Sequence, residues 1–103
     1  MEIEKKFTFD EAEALARLKA LGEYLDNKHG IKVTWENDRR AVFSGKYMVV
    51  KIEGELALAP GVARFKGKDP GFLWRKRATE YIEEKLATYL DPKNPIDKLP
   101  RGA

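Results

Sequence analysis

The 103-residue chain has no cysteine, and its one histidine is His29. Without thiols there are no disulfides, no thiolate zinc sites and no cysteine nucleophiles, so the fold must stand on packing alone. Nor does any apolar run approach the roughly 20 residues that a membrane helix needs. The N-terminal "MEIEKKFTF" lacks the apolar stretch of a secretory signal, so the expected location is the cytoplasm. The glycines match neither a Walker loop nor a dinucleotide fingerprint. Ser44 in "FSG" lacks the G-x-S-x-G context of a hydrolase elbow. His29 is placed to complement a helix dipole, and Glu36 and Asp38 in "END" read as turn chemistry rather than a metal pair. Catalysis is not expected, and neither is a metal or a cofactor.

What is present suits one soluble domain: 43% hydrophobic residues beside 36% charged ones. The net charge of +3 is unevenly placed. Between Arg64 and Arg77 stand Arg64, Lys66, Lys68, Arg75, Lys76 and Arg77 against Asp69 alone, a local basic patch that points to an anionic partner.

Thr8 and Glu11 match a capping box, with Phe7 placed to staple onto Ala12. Ala14, Leu18, Leu21 and Leu25 then recur at helical spacing as far as Gly30, which suits a left-handed C-terminal cap. The period changes to two at Ile31, Val33 and Trp35, and "ENDRR" supplies a hairpin loop. A second strand, Ala41 to Lys46, is expected to close at Gly45. A third, beginning near Tyr47, carries Met48, Val50, Ile52, Leu56 and Leu58 on one face, and its phase survives Gly54. Val62 to Lys68 returns as a fourth strand, with Ala63 and Phe65 inward. Asp69 and Pro70 are expected to open a second helix as N-cap and first helical residue. Trp74, Ala78, Tyr81, Ile82, Leu86, Tyr89 and Leu90 trace its apolar stripe, and Trp35 is expected in the core.

The reading is an α+β two-layer sandwich in the order α-β-β-β-β-α, an antiparallel sheet with both helices on one face. Residues 1–91 form the domain, and 92–103 a proline-rich tail, loose or draped over a neighbour. Tyr47, Val49, Val42, Ala57 and Ala59 soften the outer face, as would suit a homodimer.

In "DPGFLWRKR", Phe72, Leu73 and Trp74 cannot all point inward on one helix, so at least one should lie near the surface. Arg75, Lys76 and Arg77 oppose the dipole of the helix they begin. A solvated face with pairs such as Lys76–Glu80 accounts for them structurally. The functional reading makes Lys66, Lys68, Phe72, Leu73, Trp74, Arg75, Lys76 and Arg77 a binding surface: cations for attraction, apolar residues for contact.

The chain also resembles the polyhydroxyalkanoic acid system proteins, small bacterial proteins associated with polyester storage-granule loci. The likeness rests on an amphipathic helix leading into "GIKVTWEND", then "FSG", alternating strands and the closing "TEYIEEKLATYL". Trp35, Glu36, Asp38, Phe43, Ser44 and Gly45 match the pattern, and no catalytic residue carries over. The resemblance implies a non-enzymatic protein at a polyester granule surface or on a protein partner. The alternative is a nucleic-acid-binding module using residues 64–77. An enzyme or ligand carrier with a pocket between sheet and helices is a third reading, which nothing in the sequence favours.

Overall fold

Ile3 and Phe7 are buried while Glu2, Glu4 and Lys6 are exposed, and that alternation makes a strand, β1 (Glu2–Lys6), where none was expected. The computed structural model describes every residue except Met48, whose expected inward place lies outside the described residues. After β1 come α1 (Glu11–His29), β2 (Lys32–Asn37), β3 (Arg40–Tyr47), β4 (Val50–Ala59), β5 (Val62–Gly67), α2 (Phe72–Tyr89) and a 3-10 turn at Ile96–Lys98. The sandwich is thus α+β, but in the order β-α-β-β-β-β-α. The sheet is antiparallel throughout, with strand order β1-β5-β4-β3-β2. The strand before α1 pairs with the last strand of the meander, not with the first.

Both helices turn their apolar stripes toward the same face of the sheet. Ala14, Leu18, Leu21 and Leu25 from α1 join Leu86, Tyr89 and Leu90 from the end of α2 and Ala41, Phe43, Leu56, Leu58, Ala63 and Phe65 from the sheet. Trp35 is half-buried against this core, because β2 is an edge strand and its helix cover comes mainly from α1. Strand β4 runs unbroken through Gly54. A Cβ at Gly54 would lie 2.9 Å from the Phe65 ring, and one at its cross-strand partner Gly67 only 2.7 Å from it. The ring lies over a gap that two side chains would otherwise fill.

Three local expectations are corrected. The N-cap of α1 is Asp10, whose carboxylate accepts from the Glu13 amide at 2.8 Å, not Thr8. Phe7 belongs with β1 and stacks on Phe9, while Ala12 is exposed, so the staple does not form. Strand β3 passes through Gly45 to Tyr47. A Cβ at Gly45 would meet the Ile31 backbone at 2.8 Å, so this glycine marks a close approach rather than a strand end. At the other end of α1, Gly30 takes the left-handed cap conformation as its position suggests.

Arg17 is 3% exposed on the inner side of α1. Its Nη1 donates to the backbone carbonyls of Tyr89 at 3.0 Å and Asp91 at 3.1 Å, and its Nε to Glu13 at 2.9 Å. Its guanidinium also covers the Phe9 ring at 4.4 Å. A fixed cation thereby satisfies carbonyls at the C-terminus of α2, where the helix dipole favours positive charge. The tail continues across α1: Leu99 is buried, Tyr89 Oη donates to the Pro100 carbonyl, and Arg101 pairs with Glu23 at 2.7 Å.

Candidate binding site at the start of the second helix

The helix begins two residues later than Asp69-Pro70 suggests. Gly71 is the N-cap, and the Asp69 carboxylate instead accepts from the Gly71 amide at 2.9 Å, closing the turn ahead of the helix. Arg75 reaches back to the same carboxylate with two donors, at 2.6 and 3.0 Å. That hydrogen bond holds the Asp69 carboxyl below its ordinary pKa, helped by the Gly71 amide, and raises Arg75 in turn. The cation nearest the helix start is neutralised by the residue that precedes it.

Of the three bulky apolar residues here, only Trp74 turns inward, and it is half-buried. Phe72 and Leu73 are each 79% exposed. Arg77 places its guanidinium 5.9 Å from the Trp74 ring centroid. No Lys76–Glu80 ion pair forms, and among the described residues neither Lys76, Arg77 nor Lys68 is paired with a carboxylate.

The cations contiguous in sequence are divided in space. Arg64 and Lys66 alternate with the buried Ala63 and Phe65, so they occupy the sheet face opposite the helices. There β1 sets Glu4 and Glu2 directly across from them, in ion pairs of 2.8 and 3.5 Å. The Arg64 hydrogen bond holds Glu4 below its usual pKa. The structure therefore brings together Phe72, Leu73, Trp74, Lys76 and Arg77. It separates them from Lys66, and it pairs Arg75 internally.

Between the sheet and the N-terminal half of α2 lies a cleft of about 170 Å³. The end of α2 is pinned by buried Leu86, Tyr89 and Leu90 and by Arg17, whereas Trp74, Ala78, Tyr81 and Ile82 are only half-buried and line the cleft. The stripe read as core is thus core only in its last turn or so. At the rim His29, in the last turn of α1, shares a hydrogen bond of 3.1 Å between its Nε2 and Tyr81 Oη. It also stands edge-on to Tyr24, Tyr47 and Tyr81. Burial, with the neighbouring tyrosines, pushes the Tyr81 phenol up to about 12. Tyr24, His29, Tyr47 and Tyr81 come from three separate elements, and no spacing along the chain announced their meeting. Among the described residues no three acidic or histidine side chains gather as a metal site would need.

The fold and this site define a small two-layer α+β protein whose exposed apolar helix start stands beside an apolar cleft. The chain belongs to the family described as "Putative polyhydroxyalkanoic acid system protein", which matches residues 1–93. No curated protein and no solved structure matches it. Within the matched residues, Trp35 packs on the core, Glu36 pairs with Arg40 at 2.6 Å, and Phe43 stands edge-on to Phe65. No helix among the described residues is long and apolar enough to cross a membrane.

Proposed function

We propose that the protein is a non-catalytic binding protein that docks on a hydrophobic surface through Phe72 and Leu73, with Lys76 and Arg77 supplying attraction to an anionic component. The observation that carries this reading is the 79% exposure of two adjacent large apolar side chains beside cations without carboxylate partners. Family membership supports a polyester granule as that surface. Burying one such side chain gains about 1.5–3 kcal/mol. The pair therefore supplies about 3–5 kcal/mol, adsorption in the millimolar range for a single contact. Attachment would be reversible, and many copies would share one granule.

Adsorption of the purified protein to polyhydroxyalkanoate particles tests this. The double substitution Phe72→Ser, Leu73→Ser should weaken adsorption about 100-fold or more without unfolding the protein, since both side chains are solvent-facing. Adsorption should persist in about 1 M salt, where phosphate contacts would be screened away. Undiminished adsorption by the double variant would refute the reading. The nucleic-acid alternative loses support from the pairing of Arg64, Lys66 and Arg75 with carboxylates, and tight salt-sensitive DNA or RNA binding would restore it.

A further inference from the structure

The cleft beside α2 has a chemistry distinct from the exposed helix start. Its walls are almost wholly apolar, with Ile52, Leu56 and Phe65 from the sheet facing Trp74, Ile82 and Leu86 from the helix. The charged groups on it are all of one sign. Among the described residues Arg77 and Lys85 line it, and no aspartate or glutamate does. Neither cation is ion-paired among the described residues, and both rest against aromatic rings. Lys85 Nζ lies 4.6 Å from the Tyr24 ring centroid and 5.3 Å from that of Tyr81, while Arg77 sits by Trp74. Residues 77, 81 and 85 are spaced four apart, so the two cations flank Tyr81 along one edge of the helix. The hydroxyl of Tyr81, bonded to His29, adds a neutral polar group between them.

We propose that this cleft binds the hydrocarbon tail of a medium-chain carboxylate, with the carboxylate held at the rim by Arg77 and Lys85. An apolar slot with two unpaired cations along one edge selects a molecule with one apolar end and one anionic end. A neutral hydrocarbon would leave the cations unused, and a cationic amphiphile would be repelled by them. The size of the cleft sets the chain length. A closed apolar cavity of about 150 Å³ admits a benzene ring, so about 170 Å³ with an open mouth suits an acyl segment of about six to eight carbons. A peptide helix is too bulky to enter. The site needs no granule surface, so this inference stands apart from the docking role of Phe72 and Leu73.

The test uses the full chain carrying Trp35→Phe, so that fluorescence reports on Trp74 alone, with calorimetry for stoichiometry and for the Ala78→Trp variant, which adds a second tryptophan. Octanoate should bind saturably at one per chain and at least about tenfold more tightly than octanol. Octyltrimethylammonium should not compete. From butyrate to octanoate the affinity should rise about fourfold per methylene, then level off as the chain outgrows the cleft. Arg77→Gln with Lys85→Gln, both at the rim, should reduce octanoate to the affinity of octanol. Ala78→Trp, which fills the slot, should abolish binding of both, and Phe72→Ser with Leu73→Ser should leave binding unchanged. Equal binding of octanoate and octyltrimethylammonium would overturn the proposal. So would the absence of saturation below about 10 mM octanoate, or normal binding by a folded Ala78→Trp variant.

Discussion

Replacing Arg17 with methionine removes the guanidinium while keeping most of the stem that packs between α1 and α2. The loss falls on two hydrogen bonds from a charged donor to the Tyr89 and Asp91 carbonyls, at 3.0 and 3.1 Å. Bonds of this type contribute about 1.5–3 kcal/mol each. The Asp91 carbonyl is only part-buried and water can replace that bond, so the lower end applies and the pair is worth about 3 kcal/mol. Little is returned by Glu13, which is 44% exposed and loses only an i, i+4 ion pair on the helix surface. In urea, with a slope of about 1.5 kcal/mol per M, the unfolding midpoint of Arg17→Met should fall by about 2 M. Arg17→Lys should fall between the variant and the parent, because an ammonium keeps the charge without the planar fork. Glu13→Gln should stay within about 0.5 kcal/mol of the parent. If Arg17→Met unfolds within about 0.3 M of the parent, the guanidinium is not what fastens the end of α2.

Two further outcomes follow from the local geometry. Asp10→Ala should cost about 1 kcal/mol by thermal or urea unfolding while Thr8→Ala is near neutral, since only Asp10 caps α1; equal effects would contradict that N-cap. The Tyr81 phenol has its folded-state pKa raised from 10.0 to about 12, so its contribution to stability is full below pH 10 and is lost as pH rises through about 12. Ultraviolet titration should show one tyrosine ionising last, near 12, and Tyr81→Phe should remove that step and flatten the alkaline fall in stability; a step that survives the substitution would belong to another residue.

Much of the architecture was legible because periodicity reports burial directly. The leucine stripe of α1 and the constant phase of β4 through Gly54 follow from side chains that are buried or half-buried in the structure, and the end of α1 from the left-handed backbone of Gly30. Strand β1 escaped because its five residues carry four charges, and the one inward apolar signal within it is Ile3. Phe7, the second inward residue, also suits a helix staple, which masks its place beside the strand. The stripe of α2 was read correctly as a face but not as a cleft wall, since spacing shows which residues share a side and not how close the opposite wall comes. The exposure of Phe72 and Leu73 was half-legible, as three bulky side chains cannot fit one stripe. A basic patch is visible along the chain, whereas ion pairing is decided across strands: Glu2 and Glu4 are sixty or more residues from Lys66 and Arg64 yet stand directly opposite them.

The pairing of β1 with β5 also sets an order of events as the chain is made. Strands β2 to β5 are each joined to the next by a few residues, so every hairpin can close as soon as its second strand exists. Strand β1 must wait until its partner, about sixty residues later in the chain, has been added. Until then β1 has no strand to pair with, and Glu2 and Glu4 lack the cations that neutralise them. The first strand of the sequence is the last piece of the sheet.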